Sequence, residues 1–164
     1  MATRLWYRSY LLDFCKNDYS DIPNKAGVYI ISNRKIIGRV GGEDRKGIVY
    51  IGRSTNLRER VRDFWNGKHT AGGYLYEHPP IAGKIMRKRI INEKDVDKCI
   101  GKLKIRYATV TNLEELELAE RALMFAYIRW FGEAPPLNLN VPRRWDRLPS
   151  SQDLKWAEKG FSGV

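Results

Sequence analysis

Apolar residues occur in short separated runs whose period changes along the chain. Residues 4–16 (RLWYRSYLLDFCK) repeat at helical spacing and predict a short amphipathic helix, punctuated afterwards by Pro23 and Gly27. Gly27-Val28-Tyr29-Ile30-Ile31 and Ile48-Val49-Tyr50-Ile51-Gly52 are short, β-branched and aromatic, and predict two strands. Between them Gly41-Gly42-Glu43-Asp44 and Gly47 supply turn chemistry, so the strands are expected to form a hairpin. Ser54-Thr55-Asn56 can cap a helix over about 56–66, with Leu57, Val61, Phe64 and Trp65 on one face. The stretch 67–80 reads as irregular and 81–91 as a basic helix. Leu103, Ile105, Tyr107 and Thr109 alternate with Lys102, Lys104, Arg106 and Ala108, which predicts a third strand. Thr111-Asn112-Leu113-Glu114 reads as a capping box opening a long helix that ends near Gly132, ahead of Pro135-Pro136. A last short helix is predicted over 151–159.

The elements specify an α/β (α+β) fold, a small central antiparallel three-stranded sheet flanked by helices. A chain of 164 residues predicts one domain, 1–164, with a helical N-terminal extension (1–25), a core (26–140) and a basic C-terminal tail (141–164). A chain this long buries about 68–70% of its surface on folding, enough to close a core without staples. Two cysteines, Cys15 and Cys99, and two histidines, His69 and His78, exclude a disulfide scaffold and a closed zinc site. No apolar run nears the ~20 residues of a membrane span, so the expectation is a cytoplasmic protein, not secreted, with reduced thiols and no membrane partner.

Charge sharpens the picture. Thirty Lys plus Arg against nineteen Asp plus Glu leave +11, which favours a polyanionic partner. Residues 34–68 carry ten basic and four acidic side chains and 84–106 nine and three, so each segment is +6. Residues 111–133 carry five Glu against Arg121 and Arg129, which makes this helix an acidic island of −3 in a basic chain.

On that helix Leu113, Leu116, Met124, Tyr127 and Phe131 lie within about 40° of Glu120 at 100° per residue, so the carboxylate is expected in the middle of the buried face. An unpaired carboxylate there would cost several kcal/mol, so it should either meet a cation, an arginine side chain or a divalent metal ion, or line a solvent-accessible cleft. Glu114 and Glu115 point elsewhere, and Glu117 lies at the stripe's flank; all three read as ordinary solvated charges. Arg60, one turn from both Leu57 and Phe64, sits at the edge of its own helix's apolar stripe and could reach the same cleft, whereas Arg58 and Arg62 project outward.

Gly27-Val28-Tyr29, then Val49-Tyr50-Ile51-Gly52-Arg53, then Arg60 eight residues past that glycine, together with Glu120-Arg121-Ala122-Leu123-Met124-Phe125-Ala126-Tyr127 and Pro136-Leu137-Asn138, resemble the GIY-YIG nuclease family over about residues 26–140. Two departures stand out. The stretch between the two tyrosines is longer than usual, an extended hairpin loop (34–47) with five basic residues, and Phe64 stands where many members have His or Tyr. His69, Tyr74, Tyr76 or His78 could supply that polar function. Asn140 follows Asn138 closely enough to contend for the asparagine position.

The resemblance implies a metal-dependent DNA endonuclease with one divalent ion, Mg²⁺ or Mn²⁺, held by Glu120 largely through water. It further implies Arg60 as the stabiliser of the phosphate's developing charge, Tyr29 as general base with Tyr50 ordering water or phosphate, and Asn138 as a neutral hydrogen-bonding brace. A phenol of pKa about 10 needs cationic neighbours such as Arg53 or the metal to act as a base. His69 is a further candidate for contact with substrate. Arg53, Arg58, Lys84, Arg87, Lys88, Arg143 and Arg144 are the candidate phosphate contacts on DNA. The rivals are a catalytically inactive nucleic-acid-binding module of the same fold and a basic adaptor for acidic proteins.

Overall fold

The strand β2 (Gly27–Ser32) is buried at every position, an unalternating apolar run that only a strand covered on both faces can use. The computed structural model describes residues 10–11, 19–32, 35–65, 104–138, 148–162 and 164, the side chains of 10–11 and 63–65 excepted. Within these, β2 pairs antiparallel with β5 (Ile48–Ser54) on one side and β6 (Lys104–Thr109) on the other, and the two-residue β1 (Tyr10–Leu11) adds to the far edge of β6. The fold is mixed α+β, with the expected three antiparallel strands at its centre.

Each sheet face carries its own core. Tyr29, Ile31, Ile105 and Tyr107 face α1 (Leu57–Trp65), which contributes Leu57 and Val61, together with Tyr19 and Ile22. Val28, Ile30, Ile51 and Ala108 face α2 (Leu113–Phe131) and α3 (Ser151–Ser162), which contribute Leu123, Tyr127, Ala157 and Phe161. Gly27 allows the strand this close to its neighbours: a Cβ there would meet the Ala108 carbonyl oxygen at 2.4 Å and Leu57 Cδ1 at 2.6 Å.

Several expectations change. Tyr10 and Leu11 are strand rather than helix, paired with Ile105 and Lys104, because the outer edge of β6 would otherwise leave its N–H and C=O groups unpaired; the rest of 4–16 lies outside the described residues, as does the basic helix over 81–91. The 34–47 loop contains an antiparallel ribbon of β3 (Ile37–Arg39) and β4 (Gly42–Asp44). The buried Asp44 carboxylate organises its end, accepting from the backbone N–H groups of Lys46, Gly47 and Ile48 at 2.9–3.1 Å and from the Tyr127 hydroxyl at 2.9 Å. The capping box is shifted by one residue: Asn112 caps α2 by accepting from Glu115 N–H, and Glu115 reaches back to Thr111. Residues 151–162 form a helix packed into the core, not a free tail, with Ser150 and Asp153 capping it reciprocally.

That last helix alters α2 as well. Because α3 covers a second side of it, the buried sector widens to include Ala119, Ala122, Leu123 and Ala126. Glu120 therefore lies at the rim of the buried face rather than its middle, and Leu113 is 64% exposed. Among the described residues no helix is long and apolar enough to cross a membrane.

Candidate functional site

The site starts from an irregularity in β5. Ile31 lies opposite Tyr50 but Ser32 lies opposite Ile48, so Val49 is an extra residue that bulges the strand. Alternation flips there, and Val49 and Tyr50 both join the core on the α1 side instead of facing opposite ways. The bulge redirects Val49; Tyr50 stands opposite Ile31 in the regular register, two residues from Gly52, and so lies on the same side as Tyr29, with ring centroids 5.9 Å apart and planes tilted by 35°.

Gly52, directly opposite Tyr29, makes the pair possible. A Cβ on Gly52 would lie 2.6 Å from Tyr50 Cε1 and 2.8 Å from both Tyr29 Cζ and its hydroxyl oxygen. The glycine is needed for space, since two aromatic rings rest over its Cα.

Arg60 is presented by the second turn of α1, and the start of that helix is firmly held. Leu57 N–H donates to Lys25 O, Arg58 N–H to Pro23 O and Glu59 N–H to the Asn56 side chain. Three of its orphan donors are thus satisfied. Arg60 lies close enough to Tyr29, Tyr50 and Glu120 to lower the pKa of each. Glu120, from α2, raises both tyrosines in return. Side chains from four elements thus share one electrostatic environment.

The tyrosines are held neutral. Burial is the main cause, raising Tyr29 well above the ordinary phenol value and Tyr50 also above it, and Arg60 offsets this only in part. Within the pair, Tyr29 favours ionisation of Tyr50 while Tyr50 opposes that of Tyr29. The phenolate at Tyr29 that cationic neighbours were expected to favour is therefore opposed by its surroundings. The buried Tyr29 hydroxyl interacts with Tyr50 but makes no hydrogen bond of full geometry among the described residues, so a ligand or water would complete its bonding.

Glu120 meets a cation, but not the expected one. Arg53 Nε lies 3.0 Å from Glu120 Oε2, and Arg53 Nη1 lies 2.9 Å from Glu117 Oε1. Burial raises the Glu120 carboxyl above its usual range, opposed chiefly by Arg53 and reinforced by Glu117. Glu117, read from sequence as an ordinary solvated charge, is thus a partner of the site; its i,i+3 spacing from Glu120 was the available signal.

The donor set can be tested against a metal. Two carboxylates one turn apart converge on one positive group, so the position suits a cation, and the available donors are hard oxygens. Among the described residues no three His, Cys, Asp or Glu side chains cluster, so a closed cage of protein ligands is absent. Such donors would fit a hard divalent ion of the Mg²⁺ class only if it kept most of its water, with Glu120 as the residue that would hold it.

Asn138 braces the outer edge of β5, accepting from Ile51 N–H at 2.9 Å and donating to Ile51 O at 2.7 Å, while Leu137 N–H donates to the bulged Val49 carbonyl at 3.0 Å. Arg58 is engaged away from the cluster, where its guanidinium donates to the Ile22 and Ser20 carbonyls. His69, Lys84, Arg87, Lys88, Arg143 and Arg144 lie outside the described residues, as do Tyr74, Tyr76, His78 and Asn140. Compared with known proteins, the chain matches no family model, and searches of curated proteins and of solved structures found no significant match.

Proposed function

We propose that the protein is a metal-dependent DNA endonuclease of the GIY-YIG type. The observation that carries this reading is the convergence of Tyr29, Tyr50, Arg60 and Glu120, drawn from four elements, on one partly buried spot where each alters the ionisation of others. Hydrolysis of a phosphodiester needs an oriented water, a base for its proton and a positive group for the charge growing on phosphate. The tyrosine pair orients the water, and its ionised form takes the proton as the water oxygen bonds to phosphorus. Burial opposes ionisation of both hydroxyls, and Arg60 favours it at both. Arg60 stabilises the developing negative charge. A divalent ion held by Glu120, when bound, supplies further positive charge for the phosphate and the departing oxygen. The bond to that oxygen breaks, and the oxygen takes a proton from solvent. The net charge of +11 supports a polyanionic substrate.

One observation favours a second reading. The Arg53–Glu120 pair gives the carboxylate a partner without any metal, as it would in an inactive nucleic-acid-binding module. Incubating supercoiled plasmid and a branched duplex with the protein and Mg²⁺, then sequencing the ends, separates the two. Mg²⁺-dependent strand breaks, reduced about 10²–10³-fold in Arg60→Ala, support the endonuclease. Tight binding with intact strands supports the inactive module.

A further inference from the structure

We propose that Arg53 is a built-in competitor for the cation position at Glu120, holding that carboxylate until a divalent ion displaces it, so that metal binding is an exchange of one cation for another. The inference rests on reading Glu120 as the metal-holding residue. Arg53 spans the two carboxylates, with Nε 3.0 Å from Glu120 and Nη1 2.9 Å from Glu117. A guanidinium keeps its charge at any physiological pH, so it vacates the position only by moving. The movement is open to it: its side chain is 37% exposed and Glu117 is 54% exposed, against 26% for Glu120. The hold is firm at the half-buried end and loose at the solvent end.

A displaced Arg53 presents a planar fork of donors beside the cluster that contains Arg60, and such a fork matches two phosphate oxygens. Phosphate that draws Arg53 away uncovers Glu120, and metal that claims Glu120 frees Arg53 for phosphate. By linkage each ligand then raises the affinity for the other.

The test is Mn²⁺ affinity, measured on the full chain without DNA by the EPR signal of free Mn²⁺, in wild type, Arg53→Met, Arg121→Met and Glu120→Gln. Arg121 is a control for general charge, since it also lowers the Glu120 pKa. Arg53→Met is expected to bind Mn²⁺ about tenfold more tightly than wild type, the size of one charge-assisted contact discounted for exposure. Arg121→Met should change affinity less than about twofold, and Glu120→Gln should abolish binding. Equal affinities for wild type and Arg53→Met, or equal gains in both arginine variants, overturn the competitor while leaving Glu120 as ligand. Absence of binding in every protein removes the reading of Glu120 and the competitor with it. The wild-type chain gives a second readout should Arg53→Met fail to fold. Saturating Mg²⁺ should shift the Arg53 Nε–H NMR signal and speed its exchange with water. An unmoved signal beside a shifted Glu120 carboxyl carbon refutes displacement.

Discussion

Gly52→Ala adds a single methyl group to the strand residue under the tyrosine pair. Its new carbon would lie 2.6 Å from Tyr50 Cε1 and 2.8 Å from Tyr29 Cζ and hydroxyl, all well inside contact distance. Tyr29 is 1% exposed and enclosed, with Tyr107 opposite it on β6, so it has little room to retreat. Tyr50 is the part that moves. Forcing a methyl group into a packed site costs about 1–3 kcal/mol. Replacing glycine by alanine also restricts the unfolded chain, which returns about 0.4–1 kcal/mol. The net expectation is a loss of up to about 2.6 kcal/mol. At this chain length each kcal/mol moves the melting temperature by about 2–4 °C, so the shift should be a drop of up to about 10 °C. Gly38→Ala is the matched control, because a Cβ there meets nothing within 4 Å. Thermal melts of the three proteins, with near-UV circular dichroism as a monitor of the aromatic pair, decide the matter. A Gly52→Ala variant with the wild-type melting point and spectrum would refute the claim that this glycine exists to seat the two rings.

Other expectations follow from the same geometry. Asn138→Ala strips Ile51 of partners for both its N–H and its C=O and should cost about 1–3 kcal/mol in urea unfolding; an unchanged midpoint would mean the edge of β5 does not depend on that amide. The Glu120 carboxyl is raised above its unfolded value of about 4.3, so the folded chain holds that proton more tightly, and the resulting stability is present below about pH 4 and lost as pH rises through the folded value. Glu120→Gln mimics the protonated form at all pH values, so in EDTA its stability relative to wild type should rise between pH 4 and 7, and a flat or falling difference would contradict the burial argument. Both phenols are raised, so the ionised base is a minor species near neutrality and the cleavage rate should climb about tenfold per pH unit from about 7 to 9; a pH-independent rate would remove tyrosine as the base.

Much of this arrangement was legible in the sequence, for identifiable reasons. The runs at 27–31 and 48–52 are apolar without alternation, and the alternation at 102–109 is regular, so the pattern finds the three central strands. Polar residues at 111–112 and Gly132 mark the ends of α2, although the cap falls on Asn112, one residue after the Thr111–Glu114 box that the pattern suggests. Tyr10 and Leu11 were misread because helical spacing over a short segment does not reveal an open strand edge elsewhere in the fold. The Val49 bulge and the Arg53–Glu117–Glu120 bridge depend on how distant elements meet, and no local pattern records that. The same holds for the bonds from the Arg58 guanidinium to the Ser20 and Ile22 carbonyls. The placement of Glu120 at a rim depended on α3, whose segment reads as a basic tail until its packing against α2 is seen.

Glu120→Gln also bears on the central claim, because it preserves shape and removes the charge. A structural salt bridge on a fully buried arginine would cost about 3–5 kcal/mol when one partner is neutralised. Here Arg53 retains Glu117 and solvent contact, so stability alone does not separate a structural carboxylate from a metal-holding one. Strand cleavage does. The decisive measurement is nicking of supercoiled plasmid by wild type and Glu120→Gln side by side in Mg²⁺, with both proteins shown to be folded. Wild type should cut only with the metal and the variant should not cut, while still binding the plasmid. A variant that nicks at the wild-type rate, or a wild type that never nicks, would contradict the assignment.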